Sequence, residues 1–465
     1  MIKKIAPILF NLSLISSILA AKKPNVLIFF IDDMGVTDLG INGSSFYETP
    51  HIDDLARSGV NFKNSYSAHP VCSPTRAALM SGKAPQRLGI TQWLSRKDKH
   101  GLPLEEVTIA EAFKEAGYRT GYIGKWHLGK SDKFQPKNQG FDYTMAVNRA
   151  GQPASFFFPF KKGKALTNVP DLTDYKDNDY LTDALTDKSI EFINQQSDKP
   201  FFLCLSHYAV HTPIQAPEKL AKKYQAKKTK KYGNESPQLV AAKYGKTNYT
   251  RQQNPEYAAM IENLDTNVGR VVTAIKEKNL LEDTIIVFSS DNGGLVHKSF
   301  GPTSNSPYRS GKAWTYEGGM RIPTIISWPG KIQPLTTQTR TITMDLYPTL
   351  LELSDIETKD EQHIDGMSLK PILMGKGNSK ALETRFLAWS YPHNHNTGHK
   401  PSHAILDGDW KLIQFENDEP VELYNLSLDI GETTNIANSN TDKVEELTKK
   451  LNDWLDKTTL KKNHN

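Results

Sequence analysis

The chain has 465 residues, enough for one large α/β unit with a smaller companion. Its 57 basic residues are scattered among 52 acidic ones, for a formal net charge of only +5. That balance concentrates no basic field, so nucleic acid is not an expected partner, while a slight excess of cations suits an anionic substrate.

At the N-terminus, Lys3 and Lys4 precede an apolar run over 5–19, and Ala20-Ala21 offers a small-residue cleavage site. Residues 1–21 therefore read as a signal peptide. The run is short for a membrane span, and Lys22-Lys23 follows it. The expectation is an exported protein, periplasmic or secreted, with no stable membrane anchor.

Residues 25–31 are continuously apolar, as a central parallel strand buried on both faces requires. They end in Asp32-Asp33-Met34-Gly35. Two adjacent carboxylates at a strand's carboxyl end suit a hard cation, and an ordinary acidic turn fits the same pair. A helix is expected from Thr49 to Ser58-Gly59, then a strand over 60–67. The stretch Cys72-Ser73-Pro74-Thr75-Arg76 follows, with a helix beginning just after the cysteine. A nucleophile at that turn would face unpaired backbone N–H groups and the forked cation of Arg76; a buried thiol beside a helix cap fits equally.

Residues 105–116 are amphipathic and read as a helix, and 118–123 as a strand delivering Gly124-Lys125-Trp126-His127-Leu128-Gly129. Lys125 and His127 are two apart, so an extended backbone points both the same way. Residues 151–179 read as an irregular insertion outside the core, 179–195 as a helix and 201–205 as a buried strand holding Cys204. His207 and His211 have an i, i+4 spacing, and packing, or support of a neighbouring ligand, is the preferred role for His207. The lysine-rich stretch 219–249 reads as a solvated helix and loop, and 255–278 as a long helix with one apolar stripe. The strand over 284–289 ends in Asp291-Asn292-Gly293-Gly294, which is turn chemistry alone and an oxygen-rich site when combined with Asp32-Asp33. Glu317 and Arg321 precede a strand over 323–328 and read as structural, and the segments at 345–350 and 365–369 as packing and turns. From residue 383 the pattern becomes short strands and turns closed by a helix over 444–455.

The Cys72 stretch resembles the signature of type I, formylglycine-dependent sulfatases. Gly124 to Gly129, His211-Thr212-Pro213, Asp291-Asn292-Gly293 and the segment Lys312 to Pro323 are similar to further motifs of that family, in the family's order. The resemblance covers nearly all of the chain after residue 21. It implies an alkaline-phosphatase-like α/β fold with a large mixed, mostly parallel sheet flanked by helices over 22–382. A smaller C-terminal α+β unit of antiparallel sheet and one helix would span 383–465. It also implies that a formylglycine-generating or sulfatase-maturating enzyme oxidises Cys72 to formylglycine (3-oxoalanine). Asp32, Asp33, Asp291, Asn292 and modified Cys72 would hold Ca²⁺, with Mg²⁺ the lesser candidate. The aldehyde hydrate would attack sulfur, oriented by Arg76 and Lys125, with His211 and Lys312 at the leaving oxygen and His127 taking a proton on sulfate release.

Trp93, Arg96, His393 and His395 are candidates for holding a sugar. The expected substrate is a sulfated carbohydrate such as ulvan, carrageenan or a related galactan oligosaccharide. A phosphoester or phosphonate hydrolase using the same aldehyde, and a non-catalytic binder of sulfated glycans, are the alternatives.

Overall fold

The computed structural model describes residues 22–299, 301–359, 362–377, 380–416 and 419–460. The signal peptide expected over 1–21 lies outside them.

The first strand, β1 (Asn25–Ile31), is buried along its whole length. Its alternate residues enter two different cores. Leu27, Phe29 and Ile31 pack with helices α1 (Pro50–Ser58), α4 (Leu181–Asn194) and α6 (Pro255–Glu277). Val26, Ile28 and Phe30 pack with α2 (Cys72–Ser81), α3 (Ile109–Glu115) and α8 (Leu346–Leu353). Helices on both sheet faces explain why this strand is an unbroken apolar run rather than an alternating one.

Seven further strands complete the sheet: β2 (Val60–Tyr66), β3 (Arg119–Gly124), β4 (Tyr143–Met145), β5 (Phe201–Ser206), β8 (Thr284–Ser290), β9 (Thr324–Ser327) and β10 (Leu335–Ile342). A separate hairpin joins β6 (Leu239–Ala241) to β7 (Thr247–Tyr249). The order is β10-β2-β9-β8-β1-β5-β3-β4, and β9 alone runs against the others. The carboxyl ends of β1, β2, β3, β5 and β8 therefore open on one edge, where the segment leading into β9 also arrives.

A second, antiparallel sheet contains β11 (Leu387–Tyr391), β12 (Ser402–Asp407), β13 (Trp410–Phe415) and β14 (Glu422–Asn425). One face buries Trp389, Ala404 and Ile413 against Tyr66, Ala78 and Trp314 of the larger unit. The other buries Ile405, Leu412 and Leu423 under Leu447 and Leu451 of the helix Thr441–Thr458.

Several expectations are corrected. The helix expected over 105–116 begins at Ile109, because Thr108 caps it reciprocally with Glu111. Residues 151–179 are not outside the core: Phe156, Phe160, Val169 and Leu172 are buried with α4 and α6. The segment at 345–350, read as packing and turns, does pack, but as the helix α8, whose Leu346, Tyr347 and Leu350 face the second core. The sheet's outer strand β10 has no counterpart in the sequence reading, because its Thr-rich residues are half exposed and carry no apolar run.

The smaller sheet is tied to the larger by buried charge. Lys411 Nζ on β13 lies 2.8 Å from Glu317 Oε1 and 2.9 Å from Glu432 Oε1, with all three side chains fully buried. Arg321 also bonds Glu317, and Tyr66 Oη donates to it at 3.0 Å. Glu317 thus ties β13 to the larger unit through Lys411, and Arg321 braces Glu317 from the other side. Replacing Lys411 with Met leaves two buried carboxylates without that cation. The expected cost is about 3–5 kcal/mol in a urea unfolding series, and a change under about 1 kcal/mol would show that the network is not what holds the sheets.

Candidate active site

Pairing of Ile31 with Ser290 sets the turns after β1 and β8 side by side. Asp33 sits in the left-handed region at φ 60, where a short polar side chain is tolerated. Its N–H donates to Asp291 Oδ1 at 3.0 Å, and Met34 N–H donates to Ser290 Oγ at 3.1 Å. Asn292 Nδ2 donates to Asp33 Oδ1 at 2.8 Å. Three carboxylates and one amide are thereby fixed at one place by backbone register.

Helix α2 starts at Cys72 itself, one residue earlier than expected, and is buried throughout. Arg76 is one turn along, so it shares the face of Cys72. Its Nε and Nη2 donate to Asp291 Oδ2 at 3.0 and 2.7 Å, and its Nη1 donates to Ser206 Oγ at 2.7 Å and Lys125 O at 3.0 Å. Gly124, at φ 99, brings β3 so close to β5 that a Cβ would stand 2.0 Å from Ser206 O; only glycine fits. Lys125 follows, its Nζ 2.6 Å from Asp32 Oδ2. From the segment before β9, Lys312 Nζ reaches Asp33 Oδ1 at 2.6 Å and Cys72 Sγ at 3.5 Å. His211 Nε2 lies 3.5 Å from Asp33 Oδ2.

The electrostatics follow from burial and pairing. Burial pushes Asp33 up, but Lys312, His211 and Lys125 outweigh it and hold the carboxyl below its ordinary range. Asp291 is likewise held low by Arg76 and Lys125 against burial. Asp32 goes the other way: burial, reinforced by Asp291 and Asp33, outweighs Lys125 and raises it. Burial raises the Cys72 thiol in spite of Lys125 and Lys312, which leaves it a poor thiolate. Burial lowers His127, and lowers His211 to about 3.

Above this cluster lies a cleft of about 390 Å³, lined by Cys72, His127, His211 and Lys312, with Trp93, Arg96 and His395 among its other walls. Larger hollows of 730 and 510 Å³ lie by the C-terminal helix and beside the helix α5 (Glu218–Tyr232), and neither includes a residue of the buried charge cluster. His393 is set back from the cleft. Its Nε2 meets Thr91 Oγ1 at 3.0 Å, and its ring packs against Tyr391. His207 is fully buried, and neither ring nitrogen has a hydrogen-bond partner among the described residues. It does not join His211 in a metal-ligating group. Both cysteines are free and buried, Cys204 within β5. The cleft also takes Gly151, Gln152 and Thr167 from the segment read as an insertion, Arg149 from just before it, and Asn396. Nothing in their local pattern announces this; only the burial of the neighbouring phenylalanines brings that segment to the edge of the sheet.

Residues 24–356 match the family described as Sulfatase, and residues 310–461 match the one described as N-sulphoglucosamine sulphohydrolase, C-terminal. A protein named Sulfatase from Formosa agariphila is 31% identical over 96% of this chain and 93% of its own length. Arylsulfatase A of Homo sapiens is 31% identical over 93% of this chain and 87% of its own. Among solved structures, Ps i-CgsB in complex with k-i-k-neocarrahexaose is 29% identical over 93% of each chain, with a TM-score of 0.79.

His127 Nε2 meets Leu94 O at 2.9 Å, which makes Nε2 the protonated nitrogen and leaves buried Nδ1 free to accept. Gly151 lies against this ring: a Cβ there would stand 2.3 Å from His127 Cε1. Gly151→Ala is expected to displace the imidazole and lower turnover at least about tenfold, the scale of a mispositioned proton-transfer group, with the unfolding midpoint unchanged. Full activity in this variant would remove His127 from the chemistry.

Proposed function

The chain belongs to the sulfatase family, and on that premise we propose that it desulfates a carbohydrate of the algal-polysaccharide kind. The substrate class is a ulvan, carrageenan or related galactan oligosaccharide, and the reaction uses formylglycine made from Cys72 together with bound Ca²⁺. Family membership makes the protein a sulfuric ester hydrolase. The observation that carries the mechanism is the buried cluster on the cleft floor. Asp32, Asp33 and Asp291 are matched there by Arg76, Lys125 and Lys312 around Cys72. The likeness to Ps i-CgsB, whose structure holds k-i-k-neocarrahexaose, supports the choice of sugar.

The donor set fits a hard cation. Asp32 Oδ1 and Asn292 Oδ1 are buried with no hydrogen-bond partner among the described residues, and oxygens are the ligands Ca²⁺ prefers. One oxygen from Asp32, the Cys72 position and one oxygen from Asp291 lie within 4.8 Å of one another. Asp32, Asp33, Asp291 and Asn292 would hold the ion; Mg²⁺ would keep more water. When present, Ca²⁺ neutralises a sulfate oxygen, and the hydrated aldehyde at position 72 supplies a hydroxyl nucleophile.

The remaining work belongs to residues of the chain. Arg76 and Lys125 hold Asp291 and Asp32 in place and surround position 72 with positive charge. Asp291 accepts the proton of the attacking hydroxyl. Lys312 Nζ, 3.5 Å from Cys72 Sγ, stabilises the ester's oxygens. His211 Nδ1 donates to Thr212 O at 2.9 Å, so Nε2 protonates the leaving oxygen from the imidazolium form, which Asp33 and the ester's negative charge favour against the burial that holds this histidine low. His127 accepts at Nδ1 as sulfate is released. Cys72 is only 3% exposed, so a maturing enzyme would reach it before the chain folds and is exported to the periplasm or medium.

The test is sulfate release from a panel of algal and host oligosaccharides, using protein made with a maturation enzyme. The wild-type chain is expected to respond to an algal galactan or ulvan fragment, and Cys72→Ala to lose at least about a thousandfold, as nucleophile removal does. Equal release by both would sink the mechanism, and cleavage of aryl phosphate in preference to every sulfate would reassign the substrate.

A further inference from the structure

The cleft wall carries charge that the chemistry at its floor does not use. Among the described residues lining the cleft there is no Asp or Glu, while Arg96 and Arg149 stand on its rim. Lys312 is committed to Asp33. Arg149 bonds Asp132 and donates from Nη1 to Lys130 O at 3.2 Å, which fixes its guanidinium. Arg96 is exposed and its side chain has no partner among the described residues. An unpaired guanidinium and a fixed one lining the same cleft offer a planar or tetrahedral oxyanion forked donors.

The loop presenting Arg96 is built rather than loose. Leu94 N–H donates to Ser73 Oγ at 3.0 Å, next to Cys72, and Leu94 O meets His127 Nε2 at 2.9 Å. Ser95 N–H and Oγ both donate to Asp98 Oδ2, at 2.6 and 2.7 Å, closing the turn. Lys130 Nζ bonds Arg96 O, which links this loop to the one carrying Arg149. Trp93, 41% exposed, offers a flat apolar face on the same wall. The position of Arg96 relative to the reacting centre is therefore set by hydrogen bonds at both ends of the wall.

We propose that Arg96, backed by Arg149, binds a second anionic group of the substrate, a sulfate or carboxylate on the sugar losing its sulfate or on its neighbour. This inference rests on the sulfatase reading and narrows it: the enzyme selects multiply anionic oligosaccharides, with Trp93 stacked on the ring between the two anions. The arginines are specificity determinants and take no part in bond breaking.

The experiment compares kcat/KM on three matched oligosaccharides: singly sulfated, doubly sulfated, and singly sulfated with an adjacent uronate. The wild-type protein is expected to favour at least one doubly anionic substrate about tenfold or more over the singly sulfated one, and which one responds separates sulfate from carboxylate. In Arg96→Gln that ratio falls to near one, mainly through KM; Arg96→Lys restores part of it, and Arg149→Gln lowers it. Because the Arg96 side chain has no partner to lose, the unfolding midpoint of its variants should match the wild type. Equal kcat/KM on all three substrates, or an Arg96→Gln variant that keeps the wild-type ratio, overturns the inference while leaving the sulfatase reading in place. An absence of sulfate release from every substrate, including a simple aryl sulfate, overturns both.

Discussion

Three buried carboxylates matched by three buried cations are the constraint on which this structure depends. Each of Asp32, Asp33 and Asp291 would be costly to bury alone, by several kcal/mol even after local relaxation. Lys125, Lys312 and Arg76 make that burial tolerable, at 2.6, 2.6 and 2.7 Å. The three cations come from different elements, so the balance exists only when the whole sheet is assembled. In the proposed reaction, the groups that neutralise the carboxylates are also the ones that would face the sulfate ester. Asp32 is still raised by its burial and its two acidic neighbours, and its Oδ1 has no hydrogen-bond partner among the described residues.

The same dependence explains the second sheet. The segment that carries Lys312 continues into Glu317 and Arg321, and Lys411 reaches that pair from β13. Between β11 and β12, the loop with His395 and Asn396 enters the cleft. Tyr391 stacks on His399, and Trp314 meets His399 edge-on, so the loop is held by rings from both units. The smaller sheet is therefore one wall of the cleft as well as a support for the groups at its floor.

Much of this was legible in the sequence, for a physical reason. Parallel strands buried on both faces must be continuous apolar runs, and β1, β5 and β8 read as such. Asp32 and Asp291 follow such runs at the same sheet edge; each alone reads equally as a turn, and the two together, with the resemblance of the Lys125 segment to a family motif, mark a candidate site. What escaped is what depends on partners far along the chain. Strand β10 is polar because it lies at an edge. Residues 151–179 bury Phe156 and Phe160 only because α4 and α6 supply a surface, and Gly151, Gln152 and Thr167 of that segment line the cleft. His393 and His395 are indistinguishable in sequence, yet one bonds Thr91 and the other lines the cleft.

The central claim is that the side chain at position 72 works as an aldehyde hydrate and not as a thiol. Mass spectrometry of the tryptic peptide spanning residues 64–76, taken from a preparation of measured sulfatase activity, tests it most directly. The account predicts the mass of the aldehyde, in a fraction that rises in proportion to activity across preparations. A fully active preparation in which that peptide carries only the unmodified thiol would contradict it.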